Sequence, residues 1–135
     1  MVYLTRRERF CAAHRLFVDE WNDEKNMEIF GNCSNKNWHG HNYVLYVTIK
    51  GEPDLVTGMI INATELKKII RREVIEHLDH KNLNLDVEFM QGIIPTAENL
   101  VKIIWQRLEH CAKGFSLHRV RIYETENIYT DYYGE

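Results

Sequence analysis

The chain has 135 residues, of which 44% are hydrophobic and 27% are charged, and its formal net charge is -3 at pH 7. This length suits one hydrophobic core, so we expect residues 1–135 to form a single domain. Lysine and arginine are spread along the chain, and we expect no nucleic-acid partner and no membrane partner. No apolar run approaches the roughly 20 residues of a membrane span, and the first ten residues lack a signal-peptide core, so a cytoplasmic protein is expected.

The first half of the chain predicts two strands. Residues 3–14 form the first, although their alternation is weak. Residues 41–51 are rich in β-branched and aromatic side chains, with apolar residues at every second position from Tyr43 to Ile49. His39 and His41 have the same parity, so both imidazoles point to one side if this strand begins at His39. Residues 51–59 then predict a loop.

The middle of the chain predicts two helices. Asn62 is a suitable N-cap for residues 62–78, where apolar residues recur at every fourth position. Residues 95–114 form the second helix, with Thr96 as its cap and Gly114 at its end. Its apolar face is predicted to contain Leu100, Ile104, Leu108 and Cys111.

Two strands joined by a short turn complete the chain, at residues 116–124 and 128–133. The order is therefore strand, strand, helix, helix, strand, strand. Strands at both ends with helices between them favour an α+β fold. We expect a four-stranded antiparallel sheet with two helices on one face.

The pair His39 and His41 is the clearest chemical signal in the sequence. Residues i and i+2 of a strand project to one face, so both imidazoles can bind one zinc ion. His14, at the end of the first strand, is the best third ligand if the two strands pair antiparallel. Three histidines leave one coordination position open, as in catalytic zinc sites. Cys33 as a fourth ligand would give a structural zinc module instead, and a pair of surface histidines near a glycine turn is the third alternative.

Three other polar positions have two interpretations each. Asp79 beside His80 suits a proton relay, because a carboxylate fixes the tautomer of an imidazole. Glu124 shares the parity of apolar strand residues, and its two acceptor oxygens fit a heterocycle edge with adjacent N–H and NH2 groups. Taken alone, however, the residues favour a solvated helix end for the first pair and a solvent-facing strand end for Glu124.

The three cysteines, Cys11, Cys33 and Cys111, do not suggest a disulfide framework, since their number is odd. Cys33 lies among polar residues, where a thiol beside a metal ion or imidazolium can become a thiolate base. Cys11 and Cys111 are expected to be small, buried hydrophobic residues.

Six short motifs follow one another along nearly the whole chain. They are "FCAAHR" (10–15), "FGNCSNKNWHGHNY" (30–43), "TGMIIN" (57–62), "LDHKNLN" (78–84), "PTAEN" (95–99) and "YETENI" (123–128). In order and spacing, these motifs resemble the 6-pyruvoyl-tetrahydropterin synthase and 6-carboxy-tetrahydropterin synthase family.

This resemblance implies a tunnelling fold, in which three subunits close their sheets into a barrel and two trimers form a hexamer with interfacial active sites. It implies roles that the residues alone left open. Zinc would be bound by His14, His39 and His41, and catalysis would involve Cys33, Asp79 and His80. The pterin would be held by Glu124, Thr96 and Glu98.

The implied substrate is 7,8-dihydroneopterin triphosphate, which loses triphosphate to give 6-pyruvoyl-tetrahydropterin. The alternative is the 6-carboxy enzyme of the queuosine and deazapurine pathway, which also releases acetaldehyde from the same substrate. The five residues between Cys33 and His39 favour the pyruvoyl reaction, because many 6-carboxy enzymes have three residues there.

Overall fold

The computed structural model describes all 135 residues, and its long strands form an antiparallel sheet with helices against one face, as expected of an α+β protein. In chain order, the strands and α-helices are β1 (Val2–His14), α1 (Asp23–Phe30), β2 (His39–Gly51), α2 (Ala63–Ile70), α3 (Glu76–Leu78), β3 (Lys81–Asn82), α4 (Ala97–Glu109), β4 (Ser116–Thr125) and β5 (Ile128–Tyr132). A π-helical turn, Arg71–Ile75, joins α2 to α3, and short 3-10 turns span Gly31–Ser34 and Glu88–Met90.

The sheet has five strands in the order β3-β1-β2-β4-β5, so the prediction of four strands is wrong in number. The long strands pair antiparallel, as predicted, whereas β3 pairs parallel to the end of β1. β3 has two residues, which is too short for any periodic signal, and it joins the sheet through backbone bonds such as Leu83 N–H to the Ala13 carbonyl, 2.8 Å.

One face of the sheet packs against the helices and forms the core with them. The four apolar residues spaced by four in the first predicted helix are all buried, which confirms that stripe: Leu66, Ile70, Val74 and Leu78. They meet the side chains of β2 that were predicted to share a face, Tyr43, Leu45, Val47 and Ile49. The tertiary core therefore follows the period-two and helical patterns of the sequence.

Two helical features differ from the prediction. α1 was not predicted, because its residues are mostly exposed and give no apolar stripe; its start is fixed by Asn22, whose side chain accepts a bond from Lys25 N–H. α4 ends at Glu109, earlier than the expected position 114. Cys111 thus lies beyond the helix and is half-buried, and Cys11 is half-buried too, so both thiols are less buried than expected.

No helix combines the length and the apolar character that crossing a membrane requires.

Candidate metal centre and active site

Strand register brings the three predicted histidine ligands together. β1 and β2 pair so that His14 lies opposite His39, and Ala12 lies opposite His41. Directly opposite residues share a face of the sheet, so all three imidazoles point toward the helices. One ligand nitrogen from each ring lies within 4.8 Å of the others, in a group that does not include Cys33.

Gly40, between the two β2 histidines, allows this close pairing. A Cβ atom at Gly40 would lie 3.2 Å from the carbonyl oxygen of Ala12. The glycine therefore accommodates the backbone of β1.

His14 is completely buried, and one hydrogen bond fixes its tautomer. Its Nδ1 lies 2.8 Å from the carbonyl oxygen of Pro95, which can only accept, so Nδ1 carries the proton. Burial lowers the pKa of His14 to about 4, with the nearby His39 and His41 adding to the effect. His14 is therefore neutral at pH 7, and its Nε2 has a free lone pair facing the other two rings.

The histidine pocket contains buried nitrogen atoms with no hydrogen-bond partner: Nε2 of His14, both ring nitrogens of His39 and Nε2 of His41. Buried polar atoms without partners are rare in proteins and call for an explanation. Three imidazoles with unpaired ring nitrogens are a donor set that zinc prefers. The residues present therefore fit a zinc ion bound by His14, His39 and His41.

Cys33 lies beside this pocket, in the 3-10 turn that follows α1. The turn is tied to the residues after His14, because Leu16 N–H donates to the Cys33 carbonyl at 2.8 Å and Arg15 Nε donates to the Ser34 carbonyl at 2.8 Å. Burial and the nearby charge of Glu124 raise the pKa of the Cys33 thiol. Both effects favour the thiol form of Cys33, whereas a cation nearby would favour the thiolate.

Glu124 lies on the core-facing side of β4, as its parity predicted, and not on a solvent-facing strand end. Its Oε1 is 3.1 Å from Nε2 of His41, outside hydrogen-bond geometry, and its side chain is 20% exposed. Burial raises the pKa of Tyr43, and the charge of Glu124 raises it further. Glu124 and Cys33 thus flank the same pocket as the histidines.

Asp79 and His80 contact each other as predicted, with 3.1 Å between Oδ2 of Asp79 and Nδ1 of His80. The pair lies away from the histidine pocket. They lie at the edge of β1 beside Cys11, whose backbone N–H donates to Asp79 Oδ1 at 2.9 Å and is the main cause that lowers the pKa of Asp79. The side chain of His80 is 79% exposed. Within one chain, this pair is not joined to the histidine pocket.

The start of α4 contacts the histidine pocket through Pro95, whose carbonyl accepts the bond from His14. Thr96 caps the helix by accepting a bond from Asn99 N–H, while Glu98 is exposed in its first turn. Neither side chain bonds to a histidine. Sequence reasoning missed two residues here: Pro95, which offers only its carbonyl, and Tyr43, whose hydroxyl lies 3.3 Å from Nδ1 of His14. The parity that Tyr43 shares with His41 was the available signal.

Fold and pocket together define an α+β protein with a cluster of three histidines that could hold a metal ion, flanked by a cysteine and a glutamate. Residues 3–135 match the model of the 6-pyruvoyl tetrahydropterin synthase family. The chain is 49% identical to 6-pyruvoyl tetrahydrobiopterin synthase of Dictyostelium discoideum, with 99% of this chain and 97% of that protein covered. The chain belongs to this family.

A solved structure and a more distant relative agree with that membership. The 6-pyruvoyl tetrahydropterin synthase of Caenorhabditis elegans superposes with a TM-score of 0.93 at 38% identity, covering 99% of this chain and 96% of that one. The 6-carboxy-5,6,7,8-tetrahydropterin synthase of Haemophilus influenzae is 25% identical, covering 76% of this chain and 84% of that protein.

Proposed function

We propose that this protein is a zinc-dependent carbon–oxygen lyase that converts 7,8-dihydroneopterin triphosphate to 6-pyruvoyl-tetrahydropterin with loss of triphosphate. The observation that carries the proposal is the pocket, in which three imidazoles with unpaired nitrogens lie beside a thiol and a carboxylate. Membership of a family of pterin synthases gives that pocket its substrate class.

Each residue of the pocket has a separate task in this proposal. Zinc held by His14, His39 and His41 supplies a Lewis acid that lowers the pKa of the substrate's side-chain hydroxyls. Glu124 binds the pterin ring through paired N–H and NH2 donors and so orients the side chain toward Cys33. Cys33, as thiolate, removes a proton from that side chain. Thr96 and Glu98, at the start of α4, complete the pterin-binding edge.

Asp79 and His80 handle the proton on the other face of the substrate. Since the pair lies at the outer edge of β1 and His80 is exposed, we propose that a neighbouring copy supplies it, within a hexamer made of two trimers. Asp79 orients the His80 ring through the 3.1 Å contact and stabilises its protonated form.

Product analysis tests the reaction. The zinc-loaded protein is incubated with 7,8-dihydroneopterin triphosphate, and the pterin is identified by mass spectrometry beside a His14→Ala control. Release of triphosphate with the pyruvoyl pterin is expected. A carboxy pterin with acetaldehyde would assign the alternative activity named in the Haemophilus influenzae relative, and no turnover by a zinc-loaded, folded protein would overturn the proposal.

A further inference from the structure

A second group of metal-ligating side chains lies at the edge of the sheet. Sγ of Cys11, a carboxylate oxygen of Asp79 and a ring nitrogen of His80 are all within 4.8 Å of one another. Thiolate, carboxylate and imidazole are the donor types that proteins use for zinc. We propose that these three residues bind a second divalent ion of the zinc class.

Backbone contacts hold the three residues together without a metal. Cys11 N–H donates to Asp79 Oδ1 at 2.9 Å, and His80 N–H donates to the Cys11 carbonyl at 2.7 Å. His80 has a φ of 61°, a left-handed conformation that is uncommon outside glycine and turns its side chain back beside Asp79. The three donors are therefore held close to one another by the fold itself.

The donor chemistry selects the kind of ion. Oδ2 of Asp79 and Nδ1 of His80 are already 3.1 Å apart, and Cys11 adds a soft sulfur that favours zinc over magnesium or calcium. On binding, the Cys11 thiol loses its proton to solvent, and His80 binds through Nδ1 with its ring proton on Nε2.

This edge site is distinct from the three-histidine pocket. Cys11 and His14 have opposite parity on β1, so their side chains project from opposite faces of the sheet. One ion can therefore bind at each place. An ion at the edge site would occupy both members of the proposed proton relay, so excess zinc would inhibit turnover; this consequence rests on the proposed function.

Metal counting tests the edge site without any activity. After equilibrium dialysis against excess Zn2+, wild type is expected to hold about two ions per chain, and Cys11→Ser and His80→Asn about one. Asparagine tolerates the left-handed backbone of position 80, so that variant should fold. Cys111→Ser, which changes another half-buried thiol, is the matched control and should retain about two ions. Thermal unfolding verifies that each variant is folded.

The outcomes separate this proposal from the proposed reaction. Saturation of wild type at one ion, or retention of the second ion by both Cys11→Ser and His80→Asn, would overturn the edge site, whatever the enzyme's activity. If the second ion is lost in Cys11→Ser but excess zinc still inhibits that variant as strongly as wild type, the inhibitory role is wrong. Inhibition of wild type and Cys111→Ser, with Cys11→Ser resistant, is the expected result.

Discussion

At the scale of single residues, the hydrogen bond of His14 determines which of its atoms is available for chemistry. The Pro95 carbonyl holds the proton on Nδ1, and burial keeps the ring neutral, so Nε2 is presented as a ligand before any metal arrives. Such an outer contact orients a ligand and raises its basicity. A carbonyl contact of this kind leaves no mark in the residue types of the sequence.

Replacement of Cys33 tests whether its thiol acts as a catalytic base or as a zinc ligand. Since Cys33 lies outside the three-histidine donor group, Cys33→Ala should keep its zinc, while turnover should fall by about 10²-fold or more through loss of the proton acceptor. Metal analysis and steady-state kinetics check both expectations, with His14→Ala as the variant that should lose zinc. Stoichiometric loss of zinc from Cys33→Ala would identify the thiol as a ligand and contradict the proposed mechanism.

Glu124 offers a second test at this scale. Glu124→Gln keeps the size of the side chain but turns an NH2 donor toward a donor on the pterin, so affinity for biopterin should fall ~10-fold or more. Isothermal calorimetry measures the loss, and zinc content should be unchanged. Glu126→Gln, at an exposed acid in the adjacent turn, is the matched control. Equal affinities for wild type and Glu124→Gln would show that the ring has another anchor.

At the scale of elements, the π-helical turn explains how residues spaced by four can all remain buried. In an α-helix a four-residue step advances the side chain by about 40° beyond a full turn, so the stripe from Leu66 to Leu78 would rotate out of the core. The wider turn at Arg71–Ile75 reverses that drift, and all four stripe residues are buried.

A side chain from α4 supports this π-helical turn. Arg107 Nε donates to the Glu73 carbonyl at 3.0 Å, and its guanidinium lies over the Phe89 ring. Arg107→Met keeps the apolar stem but removes the bonds that the guanidinium makes to the carbonyl and carboxylate of Glu73, which should cost about 1–2 kcal/mol of unfolding free energy in urea titrations. Arg72→Met, at an exposed arginine in the same turn, should change it by less than about 0.5 kcal/mol. Equal losses of unfolding free energy in the two variants would show that Arg107 does not stabilise the π-helical turn.

The cross-strand pair Arg121 and Asp131 makes the β4–β5 hairpin sensitive to acid. The residues lie directly opposite each other with two bonds of 2.7 and 2.8 Å, and Arg121 is the main cause that lowers the pKa of Asp131. A lowered carboxyl pKa stabilises the fold above the unfolded pKa of about 3.9, and this contribution is lost as the pH falls through the lower folded value.

Asp131→Asn should therefore lose about 1 kcal/mol at neutral pH relative to wild type. The difference should shrink below about pH 4 and disappear in stronger acid. Urea titrations across this pH range measure it. A difference that is independent of pH would show that the charge of Asp131 is not the cause.

At the scale of the whole molecule, the sheet leaves two long edges unpaired. β5 has a neighbour on one side only, and β1 pairs with β3 only at Ala12 and Ala13. Unpaired edges invite pairing with other chains, and closure into a barrel removes them. The proposed hexamer is consistent with this geometry, and a monomer mass in light scattering at micromolar concentration would contradict it.

A mixing experiment tests whether neighbouring copies share an active site. Cys33→Ala and His80→Asn should each be inactive alone. Hexamers assembled from equal amounts of both should recover about a quarter of wild-type activity, since one interface in four joins an intact Cys33 to an intact His80. A site built within one chain would give no recovery. Wild type mixed with each variant controls for assembly.

The sequence by itself predicted the α+β class, the shared face of His39 and His41 and the family, because each depends on local pattern. Parity along β2 fixed the shared face of His39 and His41, and the six motifs carried the resemblance. Only the tertiary structure decided which ring nitrogen of His14 is free, where Asp79 and His80 lie, and that a fifth strand exists. Those features depend on contacts between residues far apart in the chain, such as Pro95 with His14 and Asp79 with Cys11, which no local period encodes.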